Sequence, residues 1–155
     1  MELPVSLKNA YIKAAKYCAY QERAHSEVLQ KLRALGLNEM ERDEIMFHLI
    51  QEKYINEERY AKLFARSKFR QKSWGINKIR HALKSKGVSA KNIEIGLSEI
   101  ESSDYIEELK ELLLKKKSQE KEKNLFKLKN KLYAFAYRKG YESTLILSTI
   151  EEIIA

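Results

Sequence analysis

A basic stretch in the middle of the chain carries the side chains that are best suited to binding chemistry. Between Arg59 and Ile93 there are eleven lysines and arginines and no acidic residue, in a chain whose formal net charge is +8. A run of one sign attracts polyanions or an acidic protein surface. The candidate residues for binding a protein partner or a nucleic acid are Arg59, Lys62, Arg66, Lys68, Arg70, Lys72, Trp74, Lys78, Arg80 and Lys84.

These residues also have plainer structural interpretations. Long basic side chains often form the solvated surface of a helix, but an ordinary soluble surface mixes both signs, so the missing acids favour a partner. Trp74 is the only tryptophan. We favour a role for it in sealing a corner between two helices, with a partner anchor or a base-stacking platform as the alternative. Phe69 falls opposite the buried face of its helix, and we expect it to pack between repeats, with contact to a partner as the alternative.

The sequence gives no sign of catalytic chemistry. It contains neither GxxxxGK[ST] nor GxGxxG, so it has no familiar phosphate-binding loop. Its three histidines lack the spacing of metal ligands, and one cysteine, Cys18, cannot form a zinc cluster or an internal disulfide. We interpret Cys18 as a small core residue. The sequence therefore predicts a protein that is not an enzyme, binds no metal and needs no cofactor. The cysteine usage, together with the absence of a secretory signal and of a membrane-length apolar run, predicts a cytoplasmic location.

The basic residues must be positioned by helices. Proline occurs once and glycine five times, too few turn residues for a β-rich fold of 155 residues, so we predict an all-α protein. Three similar segments end at Gly36, Gly87 and Gly140, each after a helical run. A glycine in that place is a natural helix C-cap. Apolar residues recur at matching offsets before and after these glycines, which indicates an internal repeat.

Each repeat is expected to hold three short helices. The predicted repeats cover residues 1–53, residues 54–101, which are the most basic, and residues 102–155, which are lysine-rich and more divergent. Asn38 with Glu41 and Asp104 with Glu107 have the spacing of capping boxes, and Asn56 is placed to cap the helix that follows it. Three such units joined by short turns favour an elongated array rather than a globule.

The middle repeat also resembles a known family. The stretch "YINEERYAKLFARSKFRQKSWGINKIRHALKSKGVS", residues 54–89, resembles the central signature of the RecX recombination regulators, and "YCAYQERAHSEVLQKL", residues 17–32, resembles their first repeat. The positions that fit the signature are Tyr54, Asn56, Arg59, Tyr60, Ala61, Phe64, Arg66, Gly75, Ile79, Leu83, Lys86, Gly87 and Val88.

The resemblance implies a fold and a role. It implies a curved array of three-helix repeats that binds the RecA recombinase in its filament on single-stranded DNA. Binding in the filament groove suppresses ATP hydrolysis, strand exchange and filament extension, and single- or double-stranded DNA is a further partner. The chain itself is expected to be a monomer. The competing hypothesis is a stand-alone helical DNA-binding protein that acts through the basic middle repeat. A third is a helical scaffold whose charge only keeps it soluble.

Overall fold

The computed structural model describes residues 2–154, and within that range the regular structure is entirely helical. A short 3-10 turn, Val5–Leu7, leads into nine α-helices. They are α1 Lys8–Tyr20, α2 His25–Ala34, α3 Glu39–Gln51, α4 Glu57–Lys72, α5 Ile76–Ser85, α6 Ala90–Leu97, α7 Ser102–Gln119, α8 Leu125–Lys139 and α9 Ser143–Ile154. The predicted all-α fold of three-helix repeats is confirmed. The boundaries proposed for the repeats stay a prediction.

The second helix of each repeat ends at a glycine, and all three glycines have the same conformation. Gly36, Gly87 and Gly140 all adopt positive φ, at 82°, 79° and 101°. In each case the residue after the glycine donates its backbone N–H to a carbonyl one turn back, as Val88 does to Leu83 at 3.1 Å. This pattern of hydrogen bonds is the Schellman motif, which satisfies the last carbonyls of the helix. The predicted glycine C-caps are therefore confirmed.

The repeat positions before these glycines form the centre of the core. Six of them are completely buried, with no exposed surface: Val28, Leu32, Ile79, Leu83, Leu132 and Ala136. Burial of a full-sized aliphatic side chain stabilises the fold by about 1.5–3 kcal/mol. The helices that follow contribute further buried residues, at the same offset from the glycine for Ile93 and Ile146 and, after a three-residue insertion in the first repeat, for Ile45. The apolar periodicity thus reports the buried faces correctly at these positions.

Asparagine side chains start three of the helices. Asn38 accepts a hydrogen bond from the Glu41 backbone N–H at 2.9 Å, and the Glu41 carboxylate accepts from the Asn38 N–H at 2.9 Å, which completes a capping box. Asn56 accepts from the backbone N–H of Arg59 at 2.9 Å, as expected. Asn124 caps α8 in the same way and was not foreseen. The capping box expected at Asp104 is wrong, because α7 already begins at Ser102.

The chain folds into two compact units that do not follow the order of the repeats. The first unit comprises the residues up to Leu63 together with Leu83–Gly96. Its main hydrophobic cluster joins α1, α2 and α3 and includes Ala14, Cys18 and Leu49.

The second unit comprises Phe64–Ala82 and the residues from Leu97 onward. Its cluster joins α7, α8 and α9 around Leu109, Leu113 and Tyr141, and it also includes Phe69 and Ile76 as partly buried members.

Two details of the buried faces differ from the periodic pattern. On α4, helical periodicity places Tyr60, Leu63, Phe64 and Ser67 on one side, but Leu63 is 40% exposed, whereas Ala61 and Ala65 are fully buried. Close packing explains this, since a methyl group on Gly96 of α6 would lie 2.7 Å from the Ala61 carbonyl oxygen, and only small residues permit that approach.

On α8, helical periodicity gives an apolar stripe that begins at Leu125 and continues through Leu128 and Leu132. Leu125 is 53% exposed, because the first turn of the helix extends beyond the core cluster, which starts at the partly buried Leu128.

Candidate partner-binding site

At least three of the ten candidate residues have acidic partners, which lie outside the acid-free stretch between Arg59 and Ile93. Arg59 Nε lies 2.5 Å from a Glu22 carboxylate oxygen, and Arg66 lies 2.6 Å from that of Glu99. Lys62 pairs with Glu58 at 3.7 Å, one turn away on α4. These ion pairs are largely exposed, so each contributes little to stability, about 0–1 kcal/mol. They nevertheless neutralise part of the positive field that the sequence suggests.

Two further candidates have polar neighbours. The exposed Arg70 lies in a surface hollow with Phe69, Asp104, Glu107, Glu108 and Glu111. Arg80 donates a hydrogen bond to the side-chain oxygen of Asn77 at 3.3 Å. The acidic side of α7 therefore moderates the charge at the end of α4.

Within the described part of the chain, the four remaining candidate lysines form no ion pairs. Among residues 2–154, no ion pair is formed by Lys68, Lys72, Lys78 or Lys84. Lys84 belongs to the first compact unit, whereas the other three belong to the second. Those three lie at the corner between α4 and α5, together with Trp74. We call Lys68, Lys72, Trp74 and Lys78 the corner cluster.

Trp74 is the centre of this cluster. The ammonium of Lys68 lies 4.9 Å from the ring centroid and that of Lys78 lies 4.6 Å from it. The edge of Phe64 packs against the same ring, with the centroids 6.4 Å apart. Because a cation over an aromatic ring is attracted to its negative face, the Trp74 ring helps to position both ammonium groups. The indole is partly buried, so it seals the corner and still presents surface to solvent.

The backbone of the corner is held by distant side chains. Ser73 adopts a left-handed conformation, with φ 56°, which is unusual for a residue other than glycine. Its carbonyl accepts a hydrogen bond from the Tyr141 hydroxyl at 3.0 Å, and its own hydroxyl donates to Glu108 at 2.7 Å. The ammonium of Lys139 donates to the carbonyl of Lys72 at 2.9 Å. These contacts hold the corner in a conformation that the local sequence does not favour.

Two glycines allow the backbones to meet at this point. The N–H of Gly75 donates to the Lys139 carbonyl at 2.7 Å, and the N–H of Asn77 donates to the Gly140 carbonyl at 2.9 Å. A methyl group added to Gly75 would lie 2.3 Å from the Gly140 carbonyl carbon. That distance is far below van der Waals contact, so Gly75 is required here for close approach of the backbone.

Stacked tyrosine rings help to hold the start of α5 in position. The Tyr105 hydroxyl accepts a hydrogen bond from the Ile76 backbone N–H at 2.9 Å and donates one to Glu142. Its ring stacks on that of Tyr141, with the centroids 4.9 Å apart, and lies 5.9 Å from that of Phe69. Burial raises the pKa of both tyrosines well above the usual value, and the Glu142 carboxylate adds to this for Tyr105.

Sequence reasoning missed these supporting residues, apart from the packing role of Phe69. The available signal was Tyr141 itself, which occupies the position after a repeat glycine where the other repeats have Leu37 and Val88.

Other chemistry finds no support in the described residues. No group of three or more His, Cys, Asp or Glu side chains in residues 2–154 is arranged to hold a metal ion. Cys18 is buried and free, and burial raises the pKa of its thiol to about 11. Its interpretation as a core residue is confirmed. None of the helices in this range is long and apolar enough to cross a membrane.

Two family models match the chain, and both describe RecX. The second three-helix domain of RecX matches residues 56–97, and the third three-helix domain matches residues 103–150, so that together they cover more than half of the sequence. The similar curated proteins include the regulatory proteins RecX of Bacillus cytotoxicus, 29% identical, and of Bacillus cereus strain B4264, 30% identical. Each match covers 95% of this chain and 54% of the relative, so the chain spans about half the length of these relatives.

Solved structures agree with the family models. The crystal structure of RecX from Lactobacillus salivarius superimposes with a TM-score of 0.87 at 27% identity, over 94% of this chain and 95% of that one. A second crystal structure of a regulatory protein RecX gives a TM-score of 0.81 at 23% identity, over 98% of this chain and 79% of that one, and supports the fold alone. From the repeat architecture, the domain matches and the shared fold, we conclude that the chain belongs to the RecX family of regulatory proteins.

Proposed function

We propose that this chain binds the filament that the RecA recombinase forms on single-stranded DNA and inhibits its ATPase, strand exchange and filament extension. Membership of a family of regulatory proteins supports a regulatory role, and the resemblance of the middle repeat supports RecA as its partner. The structural observation that carries the proposal is the corner cluster, where three lysines form no ion pair among the described residues and two of them, Lys68 and Lys78, lie over a partly exposed tryptophan.

The corner cluster is suited to a surface that is both acidic and able to accept an aromatic ring. Its lysines can pair with carboxylates of the recombinase or with DNA phosphates, and charges of this kind raise the association rate and fix orientation more than they raise affinity. Trp74 supplies the large, rigid contact area that is typical of interface anchors. Arg59, Lys62 and Arg66 are expected to contribute less, because a partner must first displace their acidic neighbours.

The proposal includes the properties that accompany this role. The chain acts as a regulator without enzymatic activity of its own and needs no cofactor. It works in the cytoplasm, where it meets the filament, and DNA, single- or double-stranded, is a secondary partner. The division into repeats of residues 1–53, 54–101 and 102–155 remains part of the proposal, with the middle repeat as the principal contact.

The test is the rate of ATP hydrolysis by RecA on single-stranded DNA as the chain is titrated in. We expect inhibition at far less than one copy per recombinase. The double variant Lys72→Gln with Lys78→Gln should need on the order of 10-fold more protein for half inhibition, because two interfacial charges are lost. The matched control is Lys13→Gln with Lys16→Gln, which removes two exposed lysines of α1. Equal behaviour of the two variants would reject the corner cluster as the contact site.

The stand-alone DNA-binding hypothesis is kept because α4, the corner and α5 form two short helices joined by a tight turn, with lysines on both sides. It predicts tight binding to free DNA with an affinity that falls steeply as salt is raised. Binding to labelled single- and double-stranded DNA, measured at two salt concentrations without RecA, separates the two hypotheses. Inhibition that appears only when the DNA is saturated would favour the DNA-binding protein.

A further inference from the structure

The outer face of α3 carries apolar side chains that the fold of its unit leaves uncovered. Met40 is 83% exposed, Phe47 is 50% exposed and Ile50 is 47% exposed. Met40 and Phe47 line one surface hollow together with Asp43 and Glu44. An apolar patch with a charged rim is typical of a surface that binds another protein. We call these five residues the α3 face.

This face is acidic. The stretch "EMERDE", residues 39–44, contains four acids and one arginine. That arginine, Arg42, donates a hydrogen bond from its guanidinium to the carbonyl of Leu37 at 2.8 Å, which directs it toward its own chain. The partner that fits the α3 face is therefore a short segment with exposed apolar residues among basic ones.

The beginning of α8 has these complementary properties. Leu125 is 53% exposed and Phe126 is 73% exposed. The stretch "KEKNLFKLK", residues 121–129, contains four lysines and one glutamate. Among the described residues, none of these four lysines takes part in an ion pair, whereas the next lysine, Lys131, pairs with Glu120 at 3.1 Å. We call residues 121–129 the α8 start.

We propose that the α3 face of one copy of this chain binds the α8 start of a second copy. The two surfaces match in both respects, since each presents exposed apolar side chains and they carry opposite charge. Because the contact joins two different surfaces, a pair held by one such contact leaves one face unused at each end. Further copies can add at these unused faces and extend the pair into a head-to-tail row.

The contact is small, and this sets the condition under which it matters. Each side offers only two or three exposed apolar side chains, so the free chain is a monomer at low concentration. Copies that are bound next to one another on any repeating surface have a high effective concentration, and a weak contact then becomes significant. Self-association of this kind makes the binding of further copies to that repeating surface cooperative. The inference does not depend on the identity of that repeating surface.

The test uses the full chain alone, in sedimentation equilibrium from micromolar concentration to about 1 mM, the range where weak contacts are populated. Variant A is Asp43→Lys with Glu44→Lys, and variant B is Lys127→Glu with Lys129→Glu. We expect the wild-type chain to form a concentration-dependent series of oligomers. Each variant alone should associate at least 10-fold more weakly, because like charges then face one another. An equimolar mixture of A and B should regain wild-type association, because the reversed surfaces match again.

Matched controls separate the contact from the general effect of net charge. Glu111→Lys with Glu151→Lys changes the charge as variant A does, and Lys13→Glu with Lys16→Glu changes it as variant B does. Both controls should change association less than the variants do. If A or B fails to fold by circular dichroism, Met40→Ser and Phe126→Ser replace them, since both side chains are mostly exposed and should be dispensable for the core.

Three results would overturn the inference. The first is a wild-type chain that stays monomeric up to about 1 mM, where a contact of useful strength would be visible. In that case the α3 face is free to bind a basic segment of another protein instead. The second is self-association that neither A nor B weakens. The third is a mixture of A and B that associates no better than each alone, which would indicate a symmetric contact or one elsewhere on the chain.

Discussion

The corner between α1 and α2 and the corner between α4 and α5 occupy equivalent positions in two repeats, yet they are built differently. At the first corner, Arg23 covers the ring of Tyr17 at 3.7 Å and donates to the Tyr17 carbonyl at 3.0 Å, and Glu27 accepts from the backbone N–H of Ala24 at 2.8 Å. All of these partners lie within a few residues along the chain. At the second corner, local backbone hydrogen bonds are joined by distant ones, because Ser73 and Gly75 also bond to Glu108, Tyr141 and Lys139 of the following repeat.

This difference shows how one repeat can complete another. Ala24 and Gly75 precede their helices at the same distance from Gly36 and Gly87, so they are equivalent. The first corner holds an alanine at this position and combines local contacts with distant ones, since Glu22 pairs with Arg59 and Ser26 donates to the Lys86 carbonyl at 2.7 Å. The second needs a glycine because the backbone at Gly140 lies against it. The corner cluster is therefore positioned by residues of the third repeat.

The largest expected effect comes from exchanging the two equivalent residues. Gly75→Ala places a methyl group against backbone atoms and should lower the free energy of unfolding by about 3 kcal/mol, the upper range for overpacking. Ala24→Gly removes one buried methyl group and adds chain entropy, so it should cost about 1 kcal/mol. Urea denaturation measures both. Similar costs for the two substitutions would contradict the contrast between the corners.

A smaller effect is expected when only hydroxyl groups are removed. Tyr105→Phe leaves the Ile76 N–H and the Glu142 carboxylate without their partner, which should cost about 1–3 kcal/mol. Because Trp74 is the only tryptophan, its fluorescence reports on the second corner, and we expect easier quenching by acrylamide in this variant. The control is Tyr20→Phe, since Tyr20 is 83% exposed. Unchanged quenching in Tyr105→Phe would show that the corner does not depend on this hydroxyl.

The free energy of unfolding should fall at alkaline pH because of Cys18, which lies in the same unit as the first corner. Burial raises the pKa of Cys18 from 9.0 to about 11, so the native state keeps the thiol protonated at a pH where the unfolded chain ionises. The stabilisation is complete below pH 9 and is lost as the pH rises toward about 11, on the order of 1–2 kcal/mol. Urea denaturation from pH 8 to pH 11 should show this slope in the wild type and a flatter one in Cys18→Ala. Parallel slopes would contradict the assignment to Cys18.

The smallest effect is expected from the local contact of the first corner. Arg23→Met removes the cation over Tyr17 and one hydrogen bond, which should cost about 1 kcal/mol. Because these contacts are local, the fluorescence and quenching of Trp74 should stay as in the wild type. A thermal melt followed by circular dichroism gives the stability, and a changed Trp74 signal would show that the two corners are coupled.

The sequence predicts those parts of the molecule that depend on local chemistry. The glycine C-caps and the asparagine caps follow from backbone conformation, and the apolar periodicity identifies six fully buried repeat positions. It fails at Leu63, because the closeness of α6 to α4 rather than hydrophobicity decides which residues are buried there. Hydropathy patterns contain no information about such distances.

The candidate site was predictable only in part. Counting charges along the chain identifies the basic stretch correctly. It overstates the free charge, because Glu22 and Glu99, which pair with Arg59 and Arg66, come from connections between other helices. The residues that hold the second corner in place could not be predicted either, since no periodic pattern in the sequence links Ser73 to Tyr141. Contacts between segments that are distant in the sequence can be identified only once the fold is known.

The backbone contact between Gly75 and Gly140 has a consequence for how such proteins can be recombined. A chimera that joins the middle repeat of this chain to a third repeat from another source would preserve the corner only if that repeat has a glycine at the place of Gly140. It would also need a tyrosine next to it to reach the Ser73 carbonyl. A donor chosen only for overall similarity and lacking this pair would produce a fusion that folds poorly at the joint. The repeats resemble interchangeable modules, but the second and third are matched parts.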